Sequence, residues 1–295
     1  MKDDVIYEAK SLKKWFSADT SIWGRSKNFV KAVDDISLKV YRGETLGIVG
    51  ESGCGKSTLI RLMMGLLPLT EGNIFFEGHN ITHVHGDERK KLRRSMQIVF
   101  QDPYAALNPR QKVKDMLAEA IDLGNEILMF SERKKEIARL LDMVGLPQDA
   151  ADKFPHEFSG GQRQRLCIAR ALAVKPQLLM CDECVSALDV SIQAQIINLL
   201  MKLQKDMGLT LIFVSHDLRV IRHIADHVAV MYLGKVVEYA PSEELFTHPQ
   251  HPYTKALLST IPVADPDRKR EPIVLKGDIP SPIHVPSGCP FHTRC

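Results

Sequence analysis

Gly50-Glu51-Ser52-Gly53-Cys54-Gly55-Lys56-Ser57 is the stretch that decides how this chain folds. It follows a short apolar run, Thr45 to Val49, and leads into "STLIRLMMGLL" (57–67), which is apolar at helical spacing until Gly65 and Pro68 stop it. Strand, glycine-rich loop and helix in that order form a phosphate-binding pattern. The glycines let consecutive backbone amides turn toward an anion, and the amino terminus of the helix adds a favourable dipole. Lys56 is placed to reach the β and γ phosphates of a nucleotide and the Ser57 hydroxyl to ligate Mg²⁺, and Thr58 is expected to bind the nucleotide with the rest of the loop.

Outward from this loop, "AVDDISLKV" (32–40) alternates Val33, Ile36, Leu38 and Val40 with polar residues, which predicts an antiparallel strand with one wet face. Between about Gln101 and Phe158 the pattern turns helical. Ser131 is expected to cap a helix with Ile137, Leu140, Leu141 and Val144 on its apolar face, closed by Gly145. "LCIARALAV" (166–174) reads as helix, "LLMCD" (178–182) as buried strand, Ile192 to Met207 as helix and "LTLIFVS" (209–215) as a second buried strand. Short apolar strands alternating with longer helices predict a mainly parallel sheet covered on both faces, an α/β fold. Beyond about Leu245 the His and Pro residues of "HPQHPYT" and the prolines from Pro262 to Pro290 read as an extended tail with little sheet.

Composition narrows the class. The chain has 295 residues, 44% hydrophobic and 25% charged, which is ordinary for a globular protein, and its formal net charge of +3 is too small to imply nucleic acid by itself. No stretch reaches the roughly 18 apolar residues of a membrane span, and no secretion signal is expected at Met1 to Asp4. The six cysteines Cys54, Cys167, Cys181, Cys184, Cys289 and Cys295 lack the spacing of a secreted framework and read as reduced thiols.

Two further signals carry chemistry. The strand "LLMCD" delivers Asp182 and Glu183 at its end. Phosphate-loop enzymes hold Mg²⁺ through water with an acid at that place, which suits Asp182. Strand alternation sends Glu183 to the opposite side, where it is expected to orient or deprotonate an attacking water. Phe158-Ser159-Gly160-Gly161-Gln162, followed by Arg163, Gln164 and Arg165, places a hydroxyl and two glycines at the opening of another helix. That is a second anion-binding helix start in one chain.

With Ser159 to Gln162 the sequence resembles the ABC transporter ATPase family, whose signature motif is Ser-Gly-Gly-Gln. The resemblance implies an ABC-type phosphate-loop NTPase: a RecA-like parallel-sheet core, an amino-terminal antiparallel β subdomain, a helical subdomain inserted at about 102–160, and a carboxy-terminal extension over 246–295 after an ATPase domain of 1–245. It implies ATP and Mg²⁺ as ligands, and a dimer in which Ser159, Gly160, Gly161 and Gln162 close over the γ phosphate held by the opposite subunit. Gln101, after "QIVF", resembles the Q-loop glutamine that senses Mg²⁺ and the attacking water and contacts the membrane partner. Asp189, in Ser186-Ala187-Leu188-Asp189, lies in a stretch that resembles the D-loop, and His216 matches the switch histidine at the γ phosphate. An aromatic platform for adenine is expected at Phe16, with Trp15 as the other candidate. The family usually has a proline after the catalytic glutamate; Cys184 and Val185 stand here instead, which puts the rigidity of the D-loop in question.

"QDPYAALNPR" (101–110), "SALDVSIQAQIINLL" (186–200) and "HPQHPYTKALLSTIP" (248–262) resemble the ATPase subunits of oligopeptide and dipeptide importers, whose nickel- and glutathione-handling relatives share the pattern. "YRGETLGIVGESGCGKST" (41–58) is most similar to the F-type member. The resemblance implies a peripheral subunit on the cytoplasmic face of the membrane. Its expected partners are a D-type paralogous ATPase, two permeases and an extracytoplasmic peptide-binding protein. Related tails carry a [4Fe-4S] cluster; Cys289 and Cys295 occupy the start of that pattern, but four thiolates are the usual requirement, so plain thiols are expected. A soluble ATPase working on nucleic acid would use "DERKKLRR" (87–94), yet Asp87 and Glu88 and the single signature motif argue for a solvated helix face instead. An ATP-binding scaffold without turnover is opposed by the intact Glu183 and His216.

Overall fold

The structure, a computed structural model, describes residues 4–18, 28–124, 128–261 and 272–295. The chain divides into two compact units, one of residues 1–83 with 213–295 and one of residues 84–212.

The first unit opens with two long strands, β1 (Val5–Ser17) and β2 (Phe29–Tyr41), paired antiparallel. β2 buries Ile36, Leu38 and Val40 and exposes the residues between them, the alternation of a sheet with one wet face. β3 (Thr45–Val49) is buried at all five positions and feeds α1 (Lys56–Met63). β4 (Glu71–Phe76) and β5 (His79–Asn80) complete an antiparallel sheet in the order β2-β1-β4-β5.

The second unit begins with α2 (Gly86–Ser95), which buries no residue. Its first turn holds Asp87 and Glu88 and its last Arg93 and Arg94, so the charges of the run "DERKKLRR" complement the helix dipole. β6 (Met96–Val99), α3 (Pro103–Ala106), α4 (Val113–Gly124), α5 (Phe130–Met143) and α6 (Gly160–Leu172) follow. Ile137, Leu140, Leu141 and Val144 are buried and Gly145 takes the left-handed φ of +68°, but Ser131 is not the cap of α5. The N-cap is Met129, whose backbone N–H donates to Glu132 at 3.1 Å. The acid three residues on satisfies the orphan donor, so a hydroxyl is not required there. β7 (Leu178–Asp182), α7 (Val190–Met207) and β8 (Thr210–Val214) finish this unit in the strand order β8-β7-β6, with β6 and β7 parallel.

Through β8 the chain re-enters the first unit, adding α8 (Leu218–Ile224), β9 (His227–Tyr232) and β10 (Lys235–Pro241). β9 lies parallel to β3 and antiparallel to β10. Among the described residues the tail has no strand beyond β10, but it is not simply extended. It contains α9 (Ser242–Thr247) and α10 (Pro252–Ser259), and α10 buries Tyr253, Thr254, Ala256 and Leu258. Pro252 sits at the start of α10, where its missing N–H costs nothing, so a segment expected to be extended opens a helix instead. The part of the tail over 262–271 lies outside the described residues.

Candidate functional site

In the first unit the loop after β3 is held tightly. Gly50 has a φ of +155° and an added Cβ would stand 2.3 Å from Met231 O; Gly55 has a φ of +109° and its Cβ would meet Ala32 O at 2.1 Å. No side chain fits at either place. Gly234 N donates to Cys54 O at 2.9 Å, and Leu59 N donates to Gly55 O at 2.9 Å, the first bond that closes α1. Lys56 is 4% exposed and donates to Gly50 O at 2.9 Å and Glu51 O at 3.1 Å, so its ammonium is fixed among loop carbonyls. Ser57 and Thr58 are half-buried, Ser52 and Gly53 exposed, and the first turn of α1 holds no acid. The result is a tight glycine turn closed around a buried lysine at the start of an acid-free helix. Burial pushes the Cys54 thiol up, with Lys56 pulling the other way, and leaves it neutral.

Two more candidates belong to this unit. Phe16 is 38% exposed near the end of β1, with Lys14 Nζ 5.1 Å from its ring centroid. Trp15 is instead engaged, 6.3 Å from the Phe29 ring and 5.0 Å from Lys31 Nζ. Phe16 therefore offers the freer π face. His216 is exposed after β8, and Ser215 N donates to Ile48 O at 3.1 Å, which brings the segment beside the end of β3. Asp217 caps α8 by accepting from Arg219 N at 2.8 Å.

In the second unit Asp182 ends β7 at 4% exposure, a buried hard-oxygen donor whose chemistry fits Mg²⁺. Glu183 does not continue the strand alternation. Its φ is +47°, so a left-handed turn, not the pleat, sets the direction of its half-buried side chain. Ser186 holds that turn, donating from N at 3.1 Å and from Oγ at 2.9 Å to Glu183 O. Gln101 Nε2 donates to Ser186 Oγ at 3.3 Å, a bond that links the end of β6 to the residues after β7.

Ser159 caps α6. Its Oγ accepts from Gln162 N at 3.3 Å while its N donates to Gln162 Oε1 at 3.0 Å. Gly160 and Gly161 follow, and the first turn holds no acid, so the exposed helix start has the polarity an anion needs. Arg163 is 8% exposed, donates to Pro155 O at 2.7 Å and lies 3.9 Å over the Tyr104 ring, anchoring the turn from beneath. Asp189 is exposed at the N-cap of α7 without bonding it through its side chain.

Two tail residues whose contacts no local sequence pattern marks, Tyr253 and Arg294, reach the loop after β3. Glu51 N donates to Tyr253 Oη at 3.0 Å, and Arg294 pairs with the Glu51 carboxylate at 3.0 Å. Cys289 and Cys295 are exposed; Cys289 Sγ lies 3.9 Å from His251 Nε2. Among the described residues no three His, Cys, Asp or Glu side chains converge as metal donors.

Residues 33–186 match the family model described as "ABC transporter", and residues 237–295 match "Oligopeptide/dipeptide transporter, C-terminal region". The chain belongs to the ABC transporter family of ATP-binding proteins. It is 51% identical to the oligopeptide transport ATP-binding protein AppF of Bacillus subtilis, covering 99% of this chain and 89% of that one. It is 47% identical to the dipeptide transport ATP-binding protein DppF of Haemophilus influenzae, over 98% of this chain and 88% of the relative. Among solved structures it is similar to cbiO1 of Clostridium perfringens, with a TM-score of 0.72 and 31% identity over 83% of this chain and 92% of the other. The dimeric structure of MJ0796, a bacterial ABC transporter cassette, matches with a TM-score of 0.70 and 28% identity over 80% and 98% of the two chains. Among the described residues of this ABC protein no helix is long and apolar enough to cross a membrane.

Proposed function

We infer that the chain is the ATP-binding and ATP-hydrolysing subunit that energises an ABC importer of oligopeptides or dipeptides. The observation that carries this reading is the presence of two acid-free, glycine-opened helix starts in one chain, one around the buried Lys56 and one capped by Ser159. The peptide cargo is supported by the match of the carboxy-terminal region and by the AppF and DppF relatives.

In this reading Phe16 stacks on adenine, and Gly50 to Thr58 enclose the phosphates with Lys56 at the β and γ oxygens. Mg²⁺ would be held by Ser57 and, through water, by Asp182, with Gln101 near it, and would neutralise charge on the β and γ phosphates. Glu183 is the general base for the attacking water, and His216 contacts the γ phosphate. Ser159 to Gln162 close over the nucleotide bound by the opposite subunit, and Asp189 bridges the pair. A D-type paralogous ATPase, two permeases and an extracytoplasmic peptide-binding protein complete the assembly at the cytoplasmic face of the membrane.

The test is to purify the chain with its membrane companions and measure which solutes stimulate ATP turnover. Stimulation by short peptides is expected; stimulation by a nickel complex or glutathione alone would redirect the cargo, and co-purification with nucleic acid in place of permeases would overturn the reading. Lys56→Ala should abolish tight binding of a fluorescent ATP analogue at this site.

A further inference from the structure

Glu51, the second residue of the phosphate loop, is gripped through three of its groups. Its N–H donates to Tyr253 Oη at 3.0 Å. Its carboxylate accepts from Arg294 Nη1 at 3.0 and 3.4 Å. Its carbonyl accepts from Lys56 Nζ at 3.1 Å. The first two partners come from the carboxy-terminal extension and the third is the phosphate lysine itself.

These contacts are shielded from water. Tyr253 is 0% exposed, and the side chains of Arg294 and Glu51 keep 10% and 24% of their surface. An aromatic cluster fixes both extension residues: the Tyr232 ring lies 4.8 Å from Tyr253 and 5.3 Å from Phe291, and Tyr253 and Phe291 are 5.3 Å apart. Phe291 is 1% exposed, and Arg294 N donates to its carbonyl at 3.0 Å, so Arg294 is delivered by a turn seated on that cluster. Aromatic packing alone would suffice to seal the tail against the core. The hydroxyl and guanidinium are aimed further, at one residue whose carbonyl holds the lysine. An exposed ion pair would hold little, but one largely removed from water is stronger and more directional.

We propose that Tyr253 and Arg294 are positioning residues for the nucleotide: by holding Glu51 they set the carbonyls that place the Lys56 ammonium, so the carboxy-terminal extension tunes the affinity of the phosphate loop. This rests on the reading of residues 50–57 as that loop. The extension then acts on ATP binding without touching ATP.

The experiment is an equilibrium titration of the full chain with a fluorescent ATP analogue and Mg²⁺, paired with thermal melting in the absence of nucleotide. Arg294→Ala is expected to weaken binding about tenfold, the scale of one charge-assisted hydrogen bond. Arg294→Lys should restore part of the loss, and Tyr253→Phe should weaken binding roughly fourfold, the scale of one neutral hydrogen bond. Glu51→Gln combined with Arg294→Ala should be no worse than the poorer single variant, because both break the same link. Lower melting temperatures with unchanged affinity, or additive losses in the double variant, would overturn the proposal. If Arg294→Ala does not fold, Arg294→Lys, Tyr253→Phe and Glu51→Gln carry the same test. Wild-type affinity in Lys56→Ala would sink the phosphate-loop reading itself. Lost affinity there with none lost in the Arg294 and Tyr253 variants would sink only the proposal.

Discussion

Replacing Gly55 by alanine should separate the shape of the phosphate loop from its composition. At a φ of +109° an L residue is strained, and the new Cβ would stand 2.1 Å from Ala32 O and 3.3 Å from Ala32 C. The obstructing atom is a backbone carbonyl of β2, which cannot rotate away as a flexible side-chain tip does. Strain of this kind costs about 1 to 3 kcal/mol, and relieving the clash requires a shift of about 1 Å in the loop or in β2. If binding must restore the strained loop shape, the upper end of that cost is set against the nucleotide. Gly55→Ala is then expected to weaken binding of a fluorescent ATP analogue by about two orders of magnitude, at about 1.4 kcal/mol per tenfold. Gly53→Ala is the control: its φ is +79°, but no atom lies within 4 Å of the added Cβ. It should lose about 1 kcal/mol of stability from the left-handed backbone and bind within about tenfold of the parent. Equal affinities for Gly55→Ala, Gly53→Ala and the parent, each shown to be folded by melting, would refute the claim that this loop conformation grips the nucleotide.

Three further outcomes follow from the geometry. Glu183→Gln should lower steady-state hydrolysis by the assembled transporter about 100- to 10,000-fold while nucleotide binding persists, and turnover at the parent rate would remove Glu183 from the role of base. Ser159→Ala deletes the acceptor for Gln162 N and should cost about 1 kcal/mol in melting experiments. Turnover should fall far more than that loss explains; a lower melting temperature with full turnover would make Ser159 a cap and nothing else. His251 is depressed in pKa by burial, with Glu238 acting in the opposite sense, and its neutral Nδ1 accepts from Tyr253 N at 3.2 Å. Because the folded value lies below the unfolded one, this contribution is complete above about pH 6.5 and is lost as pH falls through the folded value. Between about pH 8 and pH 5 the parent should lose more melting temperature than His251→Asn, and parallel curves would contradict the assignment.

Much of the fold was legible because local pattern and tertiary environment agree. β3 is buried on both faces, so "TLGIV" is a continuous apolar run, whereas β2 has one wet face and alternates. Ser159 was readable as a helix start because its cap is made within three residues. Misreadings arose where a distant or backbone effect decides. Ser131 looked like a cap, but Glu132 satisfies the donor one turn earlier. The His and Pro residues of "HPQHPYT" point to an extended tail, yet Pro252 opens a helix whose Tyr253 is buried against Tyr232 and Phe291, distant in sequence. The bond from Arg294 to Glu51 spans 243 positions, and no periodicity encodes it. Pro252 followed by Tyr253, Ala256 and Leu257 was the available signal for α10; nothing local marked Arg294.

The resemblance leads one to expect a proline after Glu183, where Cys184 stands and the backbone φ is not fixed by a ring. A left-handed glutamate costs about 1 to 2 kcal/mol and persists only where its surroundings over-determine it. Here they do so without proline. Ser186 makes two bonds to Glu183 O, Leu188 N donates to Val185 O at 3.1 Å, and Cys184 and Val185 are 2% and 3% exposed. The Cys184 thiol is held well above its ordinary pKa, first by its hydrogen bond with Cys181 and then by burial. It therefore stays neutral beside Asp182 and adds no charge that would disturb the neighbouring carboxylates. A small buried thiol and a hydrogen-bonded turn thus hold the backbone from Glu183 to Leu188 without the fixed φ of a proline, while Ala187 and Asp189 stay exposed.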